Sequence, residues 1–215
     1  MFKSEPFLLC VQSVVKLKDK SVLDIGCGDG LRTKGIAAVA KHVMAVDPDA
    51  EVIAQAKKEN GAKNVEYRRA DGRKLPFSDR IFDVVIFTMS FHHLPTKDMP
   101  PALDEALRVT KRGGYLAFFE PDWAGTIIEA ERRFGFGDGD IRDVKAYAYH
   151  VMLTESRMAE VAEFFNQAVF TYRSVQEFAK LEQPRRGSRS EWKAFLEKNR
   201  YRLWADERTN IFRKK

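Results

Sequence analysis

Apolar runs and longer amphipathic stretches alternate along the first half of the chain. The strands that this pattern predicts cover residues 21–25, 42–47, 64–69 and 82–87. Proline-free stretches between them predict helices over residues 31–43 and 50–60. The 82–87 run is nearly continuous in apolar residues and is therefore typical of a buried central strand, in which Asp83 has to be paired. Such alternation predicts an α/β fold with a parallel sheet.

The two ends of the chain give less regular patterns. A short helix over residues 7–15 could lie across the mouth of a ligand site or pack beside the sheet. Later helices are predicted over residues 101–109, 124–134, 143–165 and 191–204, and later strands over 115–119, 168–174 and 209–213. The glycine- and aspartate-rich loop at 135–140 lacks the remaining ligands of a calcium loop, which favours a plain connection.

Composition narrows the class of protein. A chain of 215 residues with 44% hydrophobic content suits one globular domain. The mean hydropathy is −0.41, and no apolar run approaches the ~20 residues of a membrane span. The start of the chain shows no signal peptide, and Cys10 and Cys27 are too few for a disulfide framework or a zinc site. We therefore expect a cytoplasmic protein without a bound metal.

The positive charge is concentrated near the C-terminus. The net charge is +6, and residues 183–215 contain eleven Lys or Arg against four Asp or Glu. A basic region of this kind can bind an anionic partner such as nucleic acid. It can equally be a solvated helical face, and the absence of a recognisable nucleic-acid-binding motif favours that interpretation.

A glycine-rich loop follows the first predicted strand. Gly26, Gly28 and Gly30 alternate with other residues, and Asp24 precedes the first glycine by two positions. A strand, a glycine turn and a helix N-terminus together form a site for a ligand that approaches the backbone closely. A carboxylate at Asp24 would repel phosphate, so the ligand is expected to carry positive charge there. A plain tight turn is the alternative interpretation.

Acidic residues also end the next two strands. Asp47 is the last residue of the second strand, where the two oxygens of a carboxylate can accept hydrogen bonds from both hydroxyls of a ribose. Alternatively, Asp47 or Asp49 caps the helix that begins at residue 50. Asp71 follows the third strand, where it could accept a hydrogen bond from an amine, and Gly72 lets the backbone turn away.

These motifs resemble the class I S-adenosylmethionine-dependent methyltransferases, in particular the small-molecule group like methyltransferase domain 11. The resemblance covers residues 20–122, including a Leu-Pro-Phe segment at 75–77 and the Gly113-Gly114 turn. It implies a doubly wound Rossmann-like, mainly parallel seven-stranded sheet, with helices on both faces and a helical substrate cap inserted after strand five. The expected division of a single domain, 1–215, is an N-terminal helix (1–19), a cofactor-binding core (20–122), a helical cap (123–166) and the last strands with a basic C-terminal region (167–215).

The resemblance also implies a cofactor and its ligands. The cofactor would be S-adenosylmethionine, with its methionine moiety at the glycine loop, its ribose at Asp47 and its adenine amine at Asp71. Asp24 would contact the ammonium group or order the loop, and Cys27 would be a small spacer and not a nucleophile. The cofactor-binding residues predicted in this way are Asp24, Gly26, Cys27, Gly28, Asp47, Pro48, Ala70, Asp71, Gly72, Thr88 and Met89.

The acceptor side is less well specified. Adjacent side chains such as His92 and His93 point apart, so the pair does not predict a metal site, and a loop-shaping role is favoured over that of a general base. Glu120 could contact substrate or stabilise a turn. No catalytic residue is assigned.

Methyl transfer to a small molecule is the function that the resemblance implies. The basic C-terminal region leaves a nucleic-acid methyltransferase as an alternative. The residues Thr88-Met89-Ser90-Phe91 argue against it, because they replace the Asn/Asp-Pro-Pro-aromatic tetrad that would hold a flipped base. A cofactor-binding module without catalysis is a further alternative. The sequence indicates no oligomeric state.

Overall fold

The computed structural model describes residues 6–139 and 141–215; the start of the chain (1–5) and Asp140 of the glycine-rich loop lie outside the described residues. The strands are β1 (Ser21–Ile25), β2 (His42–Asp47), β3 (Val65–Arg69), β4 (Phe82–Thr88), β5 (Thr110–Pro121), β6 (Met158–Thr171) and β7 (Arg202–Lys214). The helices are α1 (Pro6–Val14), α2 (Leu31–Ala37), α3 (Ala50–Asn60), α4 (Met99–Val109), α5 (Thr126–Phe134), α6 (Arg142–Thr154), α7 (Val175–Glu182) and α8 (Arg189–Lys198). None of the described helices combines the length and the apolar character that crossing a bilayer requires.

The strands form one mixed sheet of seven, in the order β3-β2-β1-β4-β5-β7-β6. The pairs β1–β2, β1–β4, β2–β3 and β4–β5 are parallel. Strand β1 lies between β2 and β4. The chain first adds β2 and β3 on one side of β1 and then adds β4 and β5 on the other side, so the strand order reverses beside β1. In open α/β sheets a ligand binds at this reversal, outside the carboxyl ends of the strands. The predicted α/β, Rossmann-like fold is confirmed.

Helix α1 packs beside the sheet. Phe7 stacks on Phe119 with the ring centroids 4.9 Å apart, and Val11 is fully buried in the same apolar cluster as Val22 and Val84. Of the two placements that the sequence allows for this helix, the structure therefore has the one beside the sheet.

The buried central strand contains the paired acid that its sequence requires. The carboxylate of Asp83 accepts hydrogen bonds from the backbone N–H of Ser21 at 2.9 Å and from Lys111 Nζ at 2.9 Å. Burial alone would raise the pKa of Asp83, but these two donors lower the pKa overall. The expectation that this residue is paired is confirmed.

The chain divides into two compact units. The first contains Met1–Glu120, Ala146–Phe164 and Arg208–Lys215, and the second contains Pro121–Lys145 and Phe165–Glu207. The second unit has an apolar core of its own, in which the ring of Phe134 meets that of Phe195 edge to face at 5.4 Å. The sequence predicts a different boundary in the C-terminal half of the chain, between a cap that ends at residue 166 and a region that begins at residue 167.

Three predicted helices are wrong at their C-terminal ends. The helix predicted to reach residue 43 ends at Ala37, and the one predicted over 143–165 ends at Thr154 and is followed by strand β6. The one predicted to reach residue 204 ends at Lys198, because Arg200 and Tyr201 have positive φ angles of 54° and 56° that a helix cannot continue through. Strand β7 then begins at Arg202, seven residues before the predicted strand.

Candidate cofactor site

A cavity of about 500 Å³ opens at the carboxyl ends of the parallel strands. This volume is within the ~300–1,000 Å³ of typical small-molecule sites. Ten of the predicted cofactor-binding residues line it, namely Gly26, Cys27, Gly28, Asp47, Pro48, Ala70, Asp71, Gly72, Thr88 and Met89. The structure therefore brings together residues that lie up to 63 positions apart in the chain.

The glycine loop forms the wall of the cavity next to β1. Gly26 has a φ of +76°, and a Cβ atom there would lie 2.5 Å from Cβ of Ser90. Ser90 Oγ donates a hydrogen bond to the carbonyl of Ile25 at 2.6 Å. Glycine is required at position 26 because the segment after β4 packs directly against the loop backbone, so the backbone itself faces the cavity.

Asp47 and Asp49 have separate roles in the structure. Asp49 caps α3, since its Oδ1 accepts from the backbone N–H groups of Glu51 at 2.8 Å and Val52 at 3.3 Å. Asp47 lines the cavity, with one oxygen accepting from the N–H of Gly28 at 3.2 Å and the other from the N–H of Asp49 at 3.0 Å. Each Asp47 oxygen has a further lone pair, so the carboxylate keeps the capacity to accept from a ligand.

Asp71 lines the cavity in a tight ion pair with Arg73. Oδ1 of Asp71 accepts from the backbone N–H of Arg73 at 2.9 Å and from its Nε at 3.0 Å, and Oδ2 accepts from Nη2 at 2.6 Å. The hydrogen bond from the Arg73 side chain is the main reason that the pKa of Asp71 lies below its ordinary value. Sequence reasoning missed Arg73, although an arginine two residues after an acid in a turn is a usable signal.

Asp24 is the one predicted cofactor residue that does not line the cavity. Its carboxyl is fully buried and accepts from Thr33 Oγ1 at 2.7 Å and Thr88 Oγ1 at 3.1 Å. Burial raises the pKa of Asp24 to about 6. Of the two roles expected for Asp24, contact with a cofactor ammonium group and ordering of the loop, these hydrogen bonds fit the second, because β1 is buried and directs this side chain into the protein. Asp24 thereby ties β1 to α2 and β4 and supports the glycine loop.

Cys27 is a buried thiol at the cavity wall. Burial raises the pKa of Cys27, and the neighbouring carboxylates Asp24 and Asp47 raise it further. The thiol therefore remains protonated at neutral pH and is a poor nucleophile. This agrees with the predicted role of a small spacer.

Glu120 holds the segment that follows β4. Its Oε1 accepts from the backbone N–H groups of Ser90 at 3.3 Å and Phe91 at 3.0 Å. Its Oε2 accepts from the N–H of His92 at 3.2 Å and pairs with Nδ1 of the same residue. Glu120 and His92 are 8% and 4% exposed. Of the two roles considered for Glu120, the structure therefore has the stabilisation of a turn.

The segment held in this way contributes further residues to the cavity. Ser90, His93 and Leu94 line it beside Met89, whose backbone has a φ of +56° and donates to the carbonyl of Phe119 at 2.7 Å. These three are not among the predicted cofactor-binding residues, because the course of this segment depends on the contact with Glu120. Asp29 in the glycine loop and Arg32 in the first turn of α2 also line the cavity.

A family model described as the methyltransferase domain matches residues 23–118. The chain therefore contains a methyltransferase domain, and it resembles the class I S-adenosylmethionine-dependent methyltransferases. The matched segment begins in β1 and ends in β5, so it contains every strand end that surrounds the cavity. S-adenosylmethionine is the cofactor of this family.

Curated methyltransferases are similar to much of this chain. Demethylmenaquinone methyltransferase of Clavibacter sepedonicus is 33% identical over 159 residues, which are 74% of this chain and 61% of that protein. The 27-O-demethylrifamycin SV methyltransferase of Amycolatopsis mediterranei is 32% identical over 162 residues, 68% of this chain and 57% of that protein. Across four curated relatives the match covers 44% to 61% of their length, so the chain spans about half of them.

A solved structure supports the fold over nearly the whole chain. An S-adenosylmethionine-dependent methyltransferase from Methanosarcina mazei superposes with a TM-score of 0.63, covering 95% of this chain and 96% of that one. The sequence identity is 16%, so this similarity concerns the fold alone.

Proposed function

We propose that this protein transfers the methyl group of S-adenosylmethionine to a nucleophile on a small molecule. The observation that carries the proposal is the order of groups along the cavity. Asp71 after β3, Asp47 at the end of β2, the glycine loop after β1 and Met89 after β4 follow the strand order of the sheet. An elongated ligand with adenine, ribose and amino-acid parts meets suitable partners in that order.

The residue roles follow from this order. Asp47 accepts hydrogen bonds from the two ribose hydroxyls, which a carboxylate does with both of its oxygens. Asp71 accepts from the exocyclic amine of adenine, with Ala70, Gly72 and Pro48 beside the nucleoside. The backbone of Gly26 and Gly28 holds the methionine moiety, and Thr88 and Met89 meet its reactive end.

The reaction needs little covalent chemistry from the protein. The bound cofactor supplies a methyl group on a positively charged sulfur, which is already a good leaving group. The residues of the chain then need to align the acceptor with the methyl–sulfur bond. Phe87, Met89 and Leu94 give that end of the cavity an apolar lining, which excludes water and favours a reaction in which charge is lost.

A small-molecule acceptor is supported by two relatives. The names of the demethylmenaquinone and 27-O-demethylrifamycin SV methyltransferases both describe small organic acceptors. Since these proteins share about a third of their aligned residues with this chain, we propose an acceptor of the same broad kind.

The basic C-terminal residues do not favour a nucleic-acid acceptor. Lys214 Nζ donates to the carbonyls of Leu107 at 2.7 Å and Thr110 at 2.8 Å, and Lys215 Nζ donates to that of Ser156 at 2.7 Å. These ammonium groups stabilise neighbouring backbone in the first unit. Engagement of this kind gives these two of the eleven basic residues a structural role, which does not call on a nucleic acid.

Transfer of a radioactive methyl group tests the proposal. The protein is incubated with S-adenosylmethionine labelled in the methyl group, together with either a mixture of small hydroxylated aromatic compounds and quinols or total RNA. We expect label in the solvent-extractable fraction of the first reaction and none in acid-precipitable RNA. Label in RNA would contradict the small-molecule assignment, and binding of the cofactor without transfer to either would favour a non-catalytic module.

A further inference from the structure

Arg73 forms a two-pronged ion pair with Asp71 at the cavity wall. Its Nε and Nη2 reach the two carboxylate oxygens at 3.0 and 2.6 Å, and its own backbone N–H adds a third hydrogen bond at 2.9 Å. The two side chains are 46% and 40% exposed, so solvent weakens the pair as a source of stability. Its geometry remains specific, because a planar guanidinium fixes the plane of the carboxylate that it binds.

The bidentate pair leaves part of the Asp71 carboxylate able to accept a further hydrogen bond. An ionised carboxylate has about four lone-pair positions. The backbone N–H and Nε of Arg73 occupy Oδ1, and Nη2 together with a longer contact from Nε at 3.1 Å is directed at Oδ2. We therefore expect Oδ2 to keep room for one more donor.

Arg73 is itself anchored on the far side. Its Nη1 donates to Oδ2 of Asp98 at 2.8 Å, immediately before α4. The chain after Arg73 is tied to the same helix, because the N–H of Leu75 donates to Glu105 at 2.6 Å and Arg108 donates to the carbonyl of Phe77 at 2.7 Å. The guanidinium of Arg73 is therefore held by residues at and next to α4, and its position does not depend on a ligand.

We propose that Arg73 is a positioning residue that orients the Asp71 carboxylate as an acceptor for the amino group of adenine and so makes the cavity select a 6-amino purine over a 6-oxo purine. A 6-oxo purine presents a carbonyl oxygen at that position, which a fixed carboxylate repels. A site built around one hydrogen bond discriminates strongly against an analogue that cannot make it. This assignment rests on the proposed function.

Calorimetric titration of two ligands tests the assignment. The ligands are S-adenosylhomocysteine and its 6-oxo analogue S-inosylhomocysteine, titrated into the wild type, Arg73→Ala, Arg73→Lys, Asp71→Asn and the double variant. Arg73→Ala is expected to weaken the adenine ligand about tenfold and to leave the 6-oxo analogue unchanged. Lysine keeps the positive charge but cannot form the bidentate pair, so Arg73→Lys should recover only part of the affinity that Arg73→Ala loses.

The double variant separates positioning from a general structural effect. If Arg73 acts through Asp71, the Arg73→Ala change has no further effect once Asp71 is Asn. Arg112→Ala, at an exposed arginine outside the cavity, serves as the matched control, and far-UV circular dichroism checks that each variant is folded.

Several outcomes would overturn the assignment. An unchanged affinity for the adenine ligand, an equal loss for both ligands, or additive losses in the double variant would each show that Arg73 does not position Asp71. Tighter binding by Arg73→Ala would show that the arginine competes with the ligand. Failure of the wild type to bind S-adenosylhomocysteine would instead contradict the proposed function, on which this inference depends.

Discussion

Two pairs of carboxylates around the cavity differ in their surroundings. Asp47 and Asp71 line the cavity and are partly exposed, whereas Asp24 and Glu120 are buried beside it, at 0% and 8% exposure. In the buried pair, Asp24 accepts hydrogen bonds from two threonine hydroxyls, and Glu120 accepts them from the backbone of the segment after β4. Acids at neighbouring strand ends are therefore either open to the cavity or buried in its wall, and under the proposed function only the open pair contacts the ligand.

The comparison predicts two kinds of mutational effect. Removing a buried acid leaves donors without acceptors inside the protein and lowers the free energy of unfolding. Removing an acid of the cavity wall exposes its former donors to water, so folding changes little while ligand binding weakens.

The largest effect on stability is expected for Glu120→Ala. This change leaves three backbone N–H groups and His92 Nδ1 without their buried acceptor, and we expect the free energy of unfolding to fall by about 4 kcal/mol. Glu120→Gln keeps one acceptor oxygen and should lose about half as much. Urea denaturation measures both, with Asp71→Asn as the matched change in the cavity wall. A loss for Glu120→Ala no larger than that for Asp71→Asn would remove the distinction between the two pairs.

Asp24 is expected to make stability depend on pH by about 3 kcal/mol. Its pKa is about 6 in the folded state against an ordinary 3.8. Between these values the folded protein holds the proton more tightly than the unfolded chain, so the contribution of Asp24 to stability falls as pH rises from about 4 to about 6. Above about pH 6 this contribution to the free energy of unfolding is fully lost, and below about pH 4 none of it is lost.

Asp24→Asn removes this titration and isolates its contribution. We expect the difference in unfolding free energy between the variant and the wild type to shift in favour of the variant as pH rises through the window. Urea denaturation at pH 4, 5, 6 and 7 measures that difference, in which the contributions of other carboxylates cancel. Parallel stability curves for the two proteins would show that Asp24 has no raised pKa.

The smallest effect is expected for Thr88→Val. The change removes one hydrogen bond to Asp24 while keeping the shape of the side chain, and we expect a loss of about 1 kcal/mol at pH 7. Because the lost bond stabilises the charged carboxylate, the pKa of Asp24 should also rise. Thr88→Ser retains the hydroxyl and serves as the control. Equal stabilities for the Val and Ser variants would contradict the role of this hydrogen bond.

The sequence predicts many residues of the cavity wall because strand ends are local signals that a parallel sheet brings together. Asp47 and Asp71 are each recognisable from the few residues around them, and the parallel pairing of β1, β2 and β3 places them on one edge. Glu120 is different, since its role depends on the pairing of β4 with β5, in which Thr88 lies opposite Phe119. That register brings Glu120 to residues 90–92 and cannot be inferred from either segment alone.

The later part of the chain is harder to predict because long-range pairing decides it. Residues 158–165 contain alanine, glutamate and phenylalanine in a pattern that suits a helix, but in the sheet they pair as edge strand β6 beside β7. Helix α7 was missed although it carries a local signal, in which Ser174 caps the backbone N–H of Glu177. The same spacing recurs at Ser188 and Glu191, which form the capping box of α8.

Calorimetric titration of S-adenosylhomocysteine into the wild type and into Asp47→Ala tests the central claim most directly, with Asp49→Ala as the neighbouring control because Asp49 caps α3 outside the cavity. We expect the wild type to bind in the micromolar range, Asp47→Ala to bind about 100-fold more weakly, and Asp49→Ala to bind as the wild type does. An unchanged affinity in Asp47→Ala, or an equal loss in both variants, would contradict a nucleoside held by Asp47 at the carboxyl edge of the sheet.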